Sequence, residues 1–319
     1  MKAIVTGVSG QDGYYMVQKL LAEGYEVLGL TSNLIHAQEQ VFDGDAESFK
    51  LLEFDYTLSN GIQIIIEEYK PQVFFNFAAK SSGQGMFDHP HEIHRLNGVF
   101  VIEILEAIRQ SKRADKIVFC QASSSEMYGA VRDIPQTEET PFNPQSPYGA
   151  AKLYAHNMIK IYRSIYGLRC CSAILFNHES VRRSTDFVTK KIANAAARIK
   201  LGLVNELSLN SLESKRDWGY APEYVDAMYK MTCTESLDDY IVASGKLSSV
   251  RDLCEAAFEF VELDYNDYVQ TQKTDTRVTE SMSLLGNPSK IKKDLDWVNK
   301  KSIREIMSEL VEYEYESLK

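Results

Sequence analysis

Little in this chain suggests a membrane, a disulfide framework or a bound metal. No apolar run approaches the roughly 20 residues needed to cross a bilayer. Polar residues interrupt the opening MKAIVTGVSGQDG too soon for a signal peptide. Cysteines number five, an odd count, and no CxxC occurs. That argues against a disulfide scaffold and a zinc site, and predicts reduced thiols in a cytoplasmic protein. Positive charge is also short: the formal net charge is −10. A chain this acidic does not coat nucleic acid or an anionic membrane by bulk electrostatics. An anionic ligand must be held by local cations. There is no internal repeat and no low-complexity linker.

What is present is a rhythm. KAIVTG, EVLGLT, FKLLEFD, QVFFNFAA, KIVFCQAS and RCCSAILF read as strands. GYYMVQKLLAEG, IQIIIEEY, VFVIEILEAIRQS and YGAAKLYAHNMIKIYRSIYG read as the helices between them. Alternation of this kind predicts α/β architecture, a doubly wound Rossmann-type parallel sheet. Several strands are apolar throughout, as expected when both faces are covered. After Phe176 the pattern loosens into a smaller mixed α/β region. The predicted division is a dinucleotide-binding unit of residues 1–176 with 217–243, and a second unit of 177–216 with 244–319.

VTGVSGQDG, with Gly7, Gly10 and Gly13, falls between the first strand and the first helix. Glycines there permit a tight turn and close approach to a pyrophosphate, and the helix N-terminus offers N–H groups. Ser9, Gln11 and Asp12 share that loop. After the second strand an acid would favour NAD and an arginine NADP. The chain has Thr31, Ser32 and Asn33 instead, which leaves the cofactor open. Asp55 ends the third strand and is placed to accept from an adenine amino group, or to make a plain turn.

Two segments carry the chemistry. QASSSEMYG sets Ser124, Ser125 and Glu126 at a strand end, where doubly wound sheets open their clefts. SPYGAAK sets Lys152 one helical turn after Tyr148, on the same face. A free phenol titrates near 10, and bringing it to about 7 takes roughly 4 kcal/mol. The Lys152 charge, with an oxidised nicotinamide, is predicted to supply much of that. Tyr148 then takes a hydroxyl proton as hydride leaves the carbon, and a serine hydroxyl holds the oxygen. Glu126 is surplus to simple dehydrogenation. It suits removal of a carbon acid beside a new carbonyl.

The strings TGVSGQDG, QASSSEMYG, SPYGAAKLYA, LFNHES, FVTKKI, KRDWGYAPEYVDAM and LLGNPSKIKKDLDW together resemble the GDP-mannose 4,6-dehydratases, members of the extended short-chain dehydrogenase/reductases. The resemblance runs almost the length of the chain. It implies oxidation at C4 of a GDP-hexose, loss of water across C5 and C6, and return of hydride to C6. Tyr148 would be the base at C4 and Glu126 the base at C5. Ser125 stands where related dTDP-glucose dehydratases have an Asp, which makes Glu126 itself a candidate to protonate the departing water and leaves that acid open. The resemblance also assigns Tyr56, Ala78, Ala79 and His178 to an NADP or NAD site. Ser81, Ser82, Asn177, Val188, Lys191, Arg216, Arg277 and Glu280 would bind the GDP-sugar.

Two departures stand out. An Arg-Arg-Ser-Ser segment usual after the second strand is replaced by LTSNLIHAQEQV, and AAKSSGQGMFD differs near the hexose. NADP preference, tetramer formation and the identity of the hexose all stay open; GDP-N-acetylglucosamine and a GDP-heptose are alternatives. A homodimer or homotetramer is expected. A 4-epimerase or 4-reductase, and a non-catalytic dinucleotide sensor, are the competing functions.

Overall fold

The strand Ala3, Ile4, Val5 alternates between two destinations. Ala3 and Val5 pack with Met16, Val17, Leu20, Val225 and Met228, while Ile4 packs with Phe100, Ile104 and Ile159. Phe75 and Phe74, and Cys120 and Phe119, divide the same way. Period-two alternation with apolar residues at both phases requires helices on both faces, and this is what the chain builds. The computed structural model describes residues 1–39, 47–57, 61–81, 87, 89–130, 133–271 and 284–319.

The elements in chain order are β1 (Lys2–Thr6), α1 (Gln11–Ala22), β2 (Glu26–Thr31), α2 (Leu34–Gln38), β3 (Phe49–Glu53), α3 (Gly61–Tyr69) and β4 (Val73–Asn76). Next come α4 (Pro90–His94), α5 (Phe100–Gln110), β5 (Val118–Ala122), α6 (Pro147–Tyr166), β6 (Cys170–Leu175) and β7 (Asn177–Glu179). α7 (Val188–Lys200), β8 (Leu207–Leu209), β9 (Lys215–Tyr220), α8 (Ala221–Thr232) and β10 (Tyr240–Val242) follow. β11 (Leu247–Ser249), α9 (Val250–Phe260), β12 (Val269–Thr271), α10 (Ser289–Leu295) and α11 (Ile303–Leu318) complete the order.

Among the described residues, seven strands form one parallel sheet in the order β10-β6-β5-β4-β1-β2-β3. The order reverses between β1 and β4, and ligands of such sheets lie outside the strand C-termini at that crevice. α1, α8 and α10 cover one face; α3, α5 and α6 cover the other. A smaller mixed part carries β11-β9-β7 and β12-β8 against α7, α9 and α11, with its own apolar core around Ile192, Leu253, Phe258 and Leu310.

The doubly wound sheet and the smaller mixed region match the sequence expectation. The short elements α2, α4, β7, β9, β11 and β12 do not follow from periodicity. Runs of three to six residues carry too few repeats to distinguish strand from loop.

Candidate active site

Three local devices aim the key side chains. β5 ends at Ala122, and a single 3₁₀ turn, Ser125–Met127, follows. Ser124 caps that turn, its hydroxyl accepting from the Glu126 N–H at 3.2 Å. Helix α6 begins with Pro147 at its first position, and the Ser146 hydroxyl accepts from the Gly149 N–H at 3.0 Å. The two devices are in contact. A Cβ on Gly149 would lie 2.5 Å from the Glu126 carbonyl, so glycine lets the helix start sit directly on the turn.

Gly10, Gln11 and Asp12 form the third device. Gly7 has φ +67°, and a Cβ there would meet Phe77 and Ala78 backbone at 2.9 Å. Gly10 begins α1 with no side-chain cap. An uncapped N-terminus at the switch point of a parallel sheet suits a pyrophosphate.

These segments open onto a cavity of about 260 Å³. Asp12, Ala79, Ser81, Ser124, Ser125, Glu126, Tyr148, Lys152, Asn177 and His178 all line it, as do Phe77, Arg183 and Phe187. The sequence-derived set of serine, carboxylate, phenol and ammonium is thus gathered in one space.

Lys152 is 2% exposed and its ammonium donates to the Ala122 carbonyl at 2.8 Å. That carbonyl also receives the Gln121 amide at 2.7 Å. The Gln121 carbonyl oxygen accepts from Asn76 at 2.7 Å, and Asn76 accepts from the Thr6 hydroxyl at 2.5 Å. A buried polar chain therefore crosses the ends of β1, β4 and β5 and terminates on the lysine. Burial pulls the Lys152 ammonium down to about 8, opposed by the Asp12 charge.

Tyr148 departs from expectation. Its ring lies 5.6 Å from the Lys152 nitrogen, yet the phenol is pushed up to about 12. Burial is the leading cause; a hydrogen bond with Ser124 and the Arg183 charge act downward, while Glu126 and Asp12 act upward. The predicted lowering by Lys152 is not a property of the protein alone, because the ammonium is turned to the Ala122 carbonyl and the phenol is enclosed. Glu126 is raised by burial, with Arg216 opposing.

His178 has two acceptors around it. One ring nitrogen meets the Phe176 carbonyl at 2.7 Å and the other meets the Asp12 carboxylate at 2.9 Å. An imidazolium donates to both, and Asp12 raises the His178 pKa against the cost of burial. In return Asp12 is lowered by His178, although burial opposes this.

Other sequence candidates sit at the periphery. The Thr31 hydroxyl is buried and bonded to the Asn33 backbone, and lies 3.5 Å from the Ser9 hydroxyl. Ser32 and Asn33 are exposed. Asp55 accepts from the Thr57 N–H at 2.8 Å and hydroxyl at 2.7 Å, so it makes a turn. Tyr56 donates to the Leu30 carbonyl at 2.9 Å and accepts from the Gly7 N–H at 3.3 Å, bracing the glycine loop. The Ala78 N–H donates to Thr6 Oγ1. Val188 and Lys191 follow Phe187 on α7 and do not line the cavity; Lys191 donates to the Ser208 carbonyl at 2.9 Å. Arg216 donates to the Lys215 carbonyl and reaches Glu126 through its field. Ser82, Arg277 and Glu280 lie outside the described residues.

Sequence reasoning missed Arg183. Its guanidinium is 3.4 Å from the centre of the Phe187 ring and 3.1 Å from the Glu179 carboxylate. The signal was available: VRRS follows LFNHES directly, placing cations just past a strand end at the cleft.

The chain is similar to known proteins over nearly its whole length. The family model described as GDP-mannose 4,6 dehydratase matches residues 4–310. The human GDP-mannose 4,6 dehydratase is 36% identical, the alignment covering 99% of this chain and 92% of that one. The Sinorhizobium fredii GDP-mannose 4,6-dehydratase is 37% identical over 97% of this chain and 95% of its own. Among solved structures, Pal from Bacillus thuringiensis superposes with a TM-score of 0.86 at 22% identity, covering 100% of both chains. A dTDP-glucose 4,6-dehydratase from Bacillus anthracis in complex with NAD gives 0.83 at 21%, covering 99% of this chain and 97% of its own. These last two share the fold. On the family match and the two sequence relatives, the chain belongs to the GDP-mannose 4,6 dehydratase family.

Proposed function

We propose that this protein converts GDP-mannose to a GDP-4-keto-6-deoxyhexose, using a nicotinamide dinucleotide that ends each cycle unchanged. The observation that carries the reading is that Glu126 and Tyr148 line one cavity and that the Glu126 charge is felt at the Tyr148 phenol. The uncapped α1 N-terminus and the Gly7 turn fit the dinucleotide's pyrophosphate, with Asp12, Lys152 and His178 beside them. When bound, the nicotinamide would supply the hydride acceptor for C4 in its oxidised form and the hydride donor for C6 in its reduced form.

The chain's own residues move the protons. Ser124 holds the C4 oxygen while Tyr148 takes the C4 hydroxyl proton. The new carbonyl acidifies the C5 hydrogen, and Glu126 removes it. Burial raises the Glu126 pKa, which strengthens it as a base and lets its acid form protonate the departing C6 hydroxyl. Tyr148 thus serves the proton transfer at C4 and Glu126 those at C5 and C6, and C5 regains a proton, drawn from Tyr148 or solvent, as hydride returns to C6. Arg216, and in the same reading Arg277, answer the substrate's diphosphate, which reconciles an acidic chain with an anionic substrate.

The reading treats residues 1–176 with 217–243 as the dinucleotide unit, supported by β10 pairing with β6. Tyr154, Ile161 and Ile165 leave an exposed apolar stripe along α6, which supports a homodimer through that helix. The five cysteines are unpaired, which supports a reducing compartment such as the cytoplasm.

The test is mass spectrometry of products from GDP-mannose and a panel of other nucleotide hexoses with no added reductant. Loss of one water from the GDP-hexose is expected. An intact C6 with inverted C4 would mean an epimerase and sink the proposal.

A further inference from the structure

We propose that the adenosine end of this site accepts a ribose with a free 2′-hydroxyl, so that the enzyme takes NAD in preference to NADP. The inference rests on the dehydratase reading, which puts a dinucleotide on the glycine loop. In a sheet of this order the adenosine ribose falls beside the end of β2, and the charge found there sets the choice.

β2 ends on Thr31, whose hydroxyl is engaged with the Asn33 backbone at 3.1 and 3.2 Å. The groups exposed beside it are Ser32, Asn33 and Glu53. Glu53 closes β3, and its Cα pairs in register with Thr31. Neighbouring strands lie about 4.8 Å apart and in-register partners share a face, so a carboxylate stands next to the end of β2. Asp55, held ionised by its bonds to Thr57, follows two residues later.

Among the described residues at the end of β2, Ser32, Asn33, Glu53 and Asp55 offer a 2′-phosphate no positive charge. The sequence has no lysine or arginine from Leu20 to Phe49. Over the same stretch the described residues after β2 include Glu39 and Glu47. Lys50 is on β3, but alternation turns it to the opposite face from Glu53. Arg95 acts on Asp55, yet it is committed to the Glu103 carboxylate at 2.8 and 3.2 Å and to the Thr57 carbonyl at 3.0 Å. His36 is 3.7 Å from Glu39.

A phosphate monoester carries close to two negative charges at neutral pH. At this corner it would meet Glu53 and Asp55 with no cation assigned to it among these groups. A 2′-hydroxyl instead donates to a carboxylate and accepts from a neutral side chain, as Glu53, Ser32 and Asn33 allow.

Calorimetric titration of the cofactor-free protein with NAD⁺ and with NADP⁺ tests this without reference to turnover. NAD⁺ is expected to bind about tenfold tighter or more. Glu53→Gln is expected to narrow that ratio, and Ser32→Arg to narrow or invert it. Thermal melts establish that each variant is folded. NADP⁺ binding as tightly as NAD⁺ to the wild type overturns the proposal, as does a ratio indifferent to both substitutions. Turnover of a GDP-hexose with NADP⁺ preferred removes the cofactor choice alone; failure to bind either dinucleotide removes the dehydratase reading with it.

Discussion

Burial raises the pKa of both Tyr148 and Glu126, with different consequences for each. For the phenol, burial opposes the reactive anion and holds the group near 12 in the protein alone. Replacement by Phe is expected to cost turnover about 10²–10⁴-fold with cofactor affinity retained, measured by steady-state kinetics beside calorimetry. A non-catalytic sensor would be indifferent to the change. For the carboxyl, burial raises the pKa and so favours the form that holds a proton. As the proposed base Glu126 must be ionised, so kcat/KM is expected to fall as pH drops through a midpoint above the ordinary value of 4.5. Arg216 holds that midpoint down, and Arg216→Ala is expected to move the acidic limb upward. In deuterated water the wild-type product is expected to gain solvent deuterium at C5, and Glu126→Gln to abolish that incorporation.

At the scale of elements, the site depends on how closely α6 sits on the turn after β5. Gly149 is the point of contact. Gly149→Ala is expected to push the helix start from Glu126 and destabilise the fold by about 1–3 kcal/mol, read from denaturant melts. The same substitution separates Tyr148 from Glu126, so kcat is expected to fall further than the stability loss explains at temperatures where the variant is folded. The chain Thr6–Asn76–Gln121–Ala122 explains why Lys152 can be buried: its ammonium ends a satisfied polar network.

Across the whole molecule, the Asp12–His178 pair joins α1, at one end of the sequence, to β7 beyond the last strand of the first half. The His178 pKa is raised from 6.5 and that of Asp12 lowered from 3.8. For the histidine, the stabilisation is full below 6.5 and is lost as pH rises through the raised folded value. For the aspartate, it is present above 3.8 and is lost as pH falls through the lowered one. The melting temperature of the cofactor-free protein is therefore expected to decline on both sides of a plateau between these values. His178→Asn is expected to remove the alkaline decline. The α6 stripe belongs to this scale too. Ile165→Glu is expected to yield monomers by sedimentation if two copies meet there.

The sequence by itself determined the doubly wound sheet, because alternation and apolar content are local and KAIVTG or KIVFCQAS carries them whole. It also determined which residue types could do the chemistry, since Tyr148 and Lys152 are bound by helical spacing and Ser124 and Glu126 by one turn. Tertiary structure decided the rest. The Tyr148 pKa depends on enclosure by Ser124, Glu126, Arg183 and Asp12, which come from three separate segments. Arg183 became a site residue only once Phe187 and Glu179 fixed it. Glu53 became part of the β2 corner only through strand pairing. Burial and the fields of distant charges are summed over space, and neighbours in space are not neighbours in the chain.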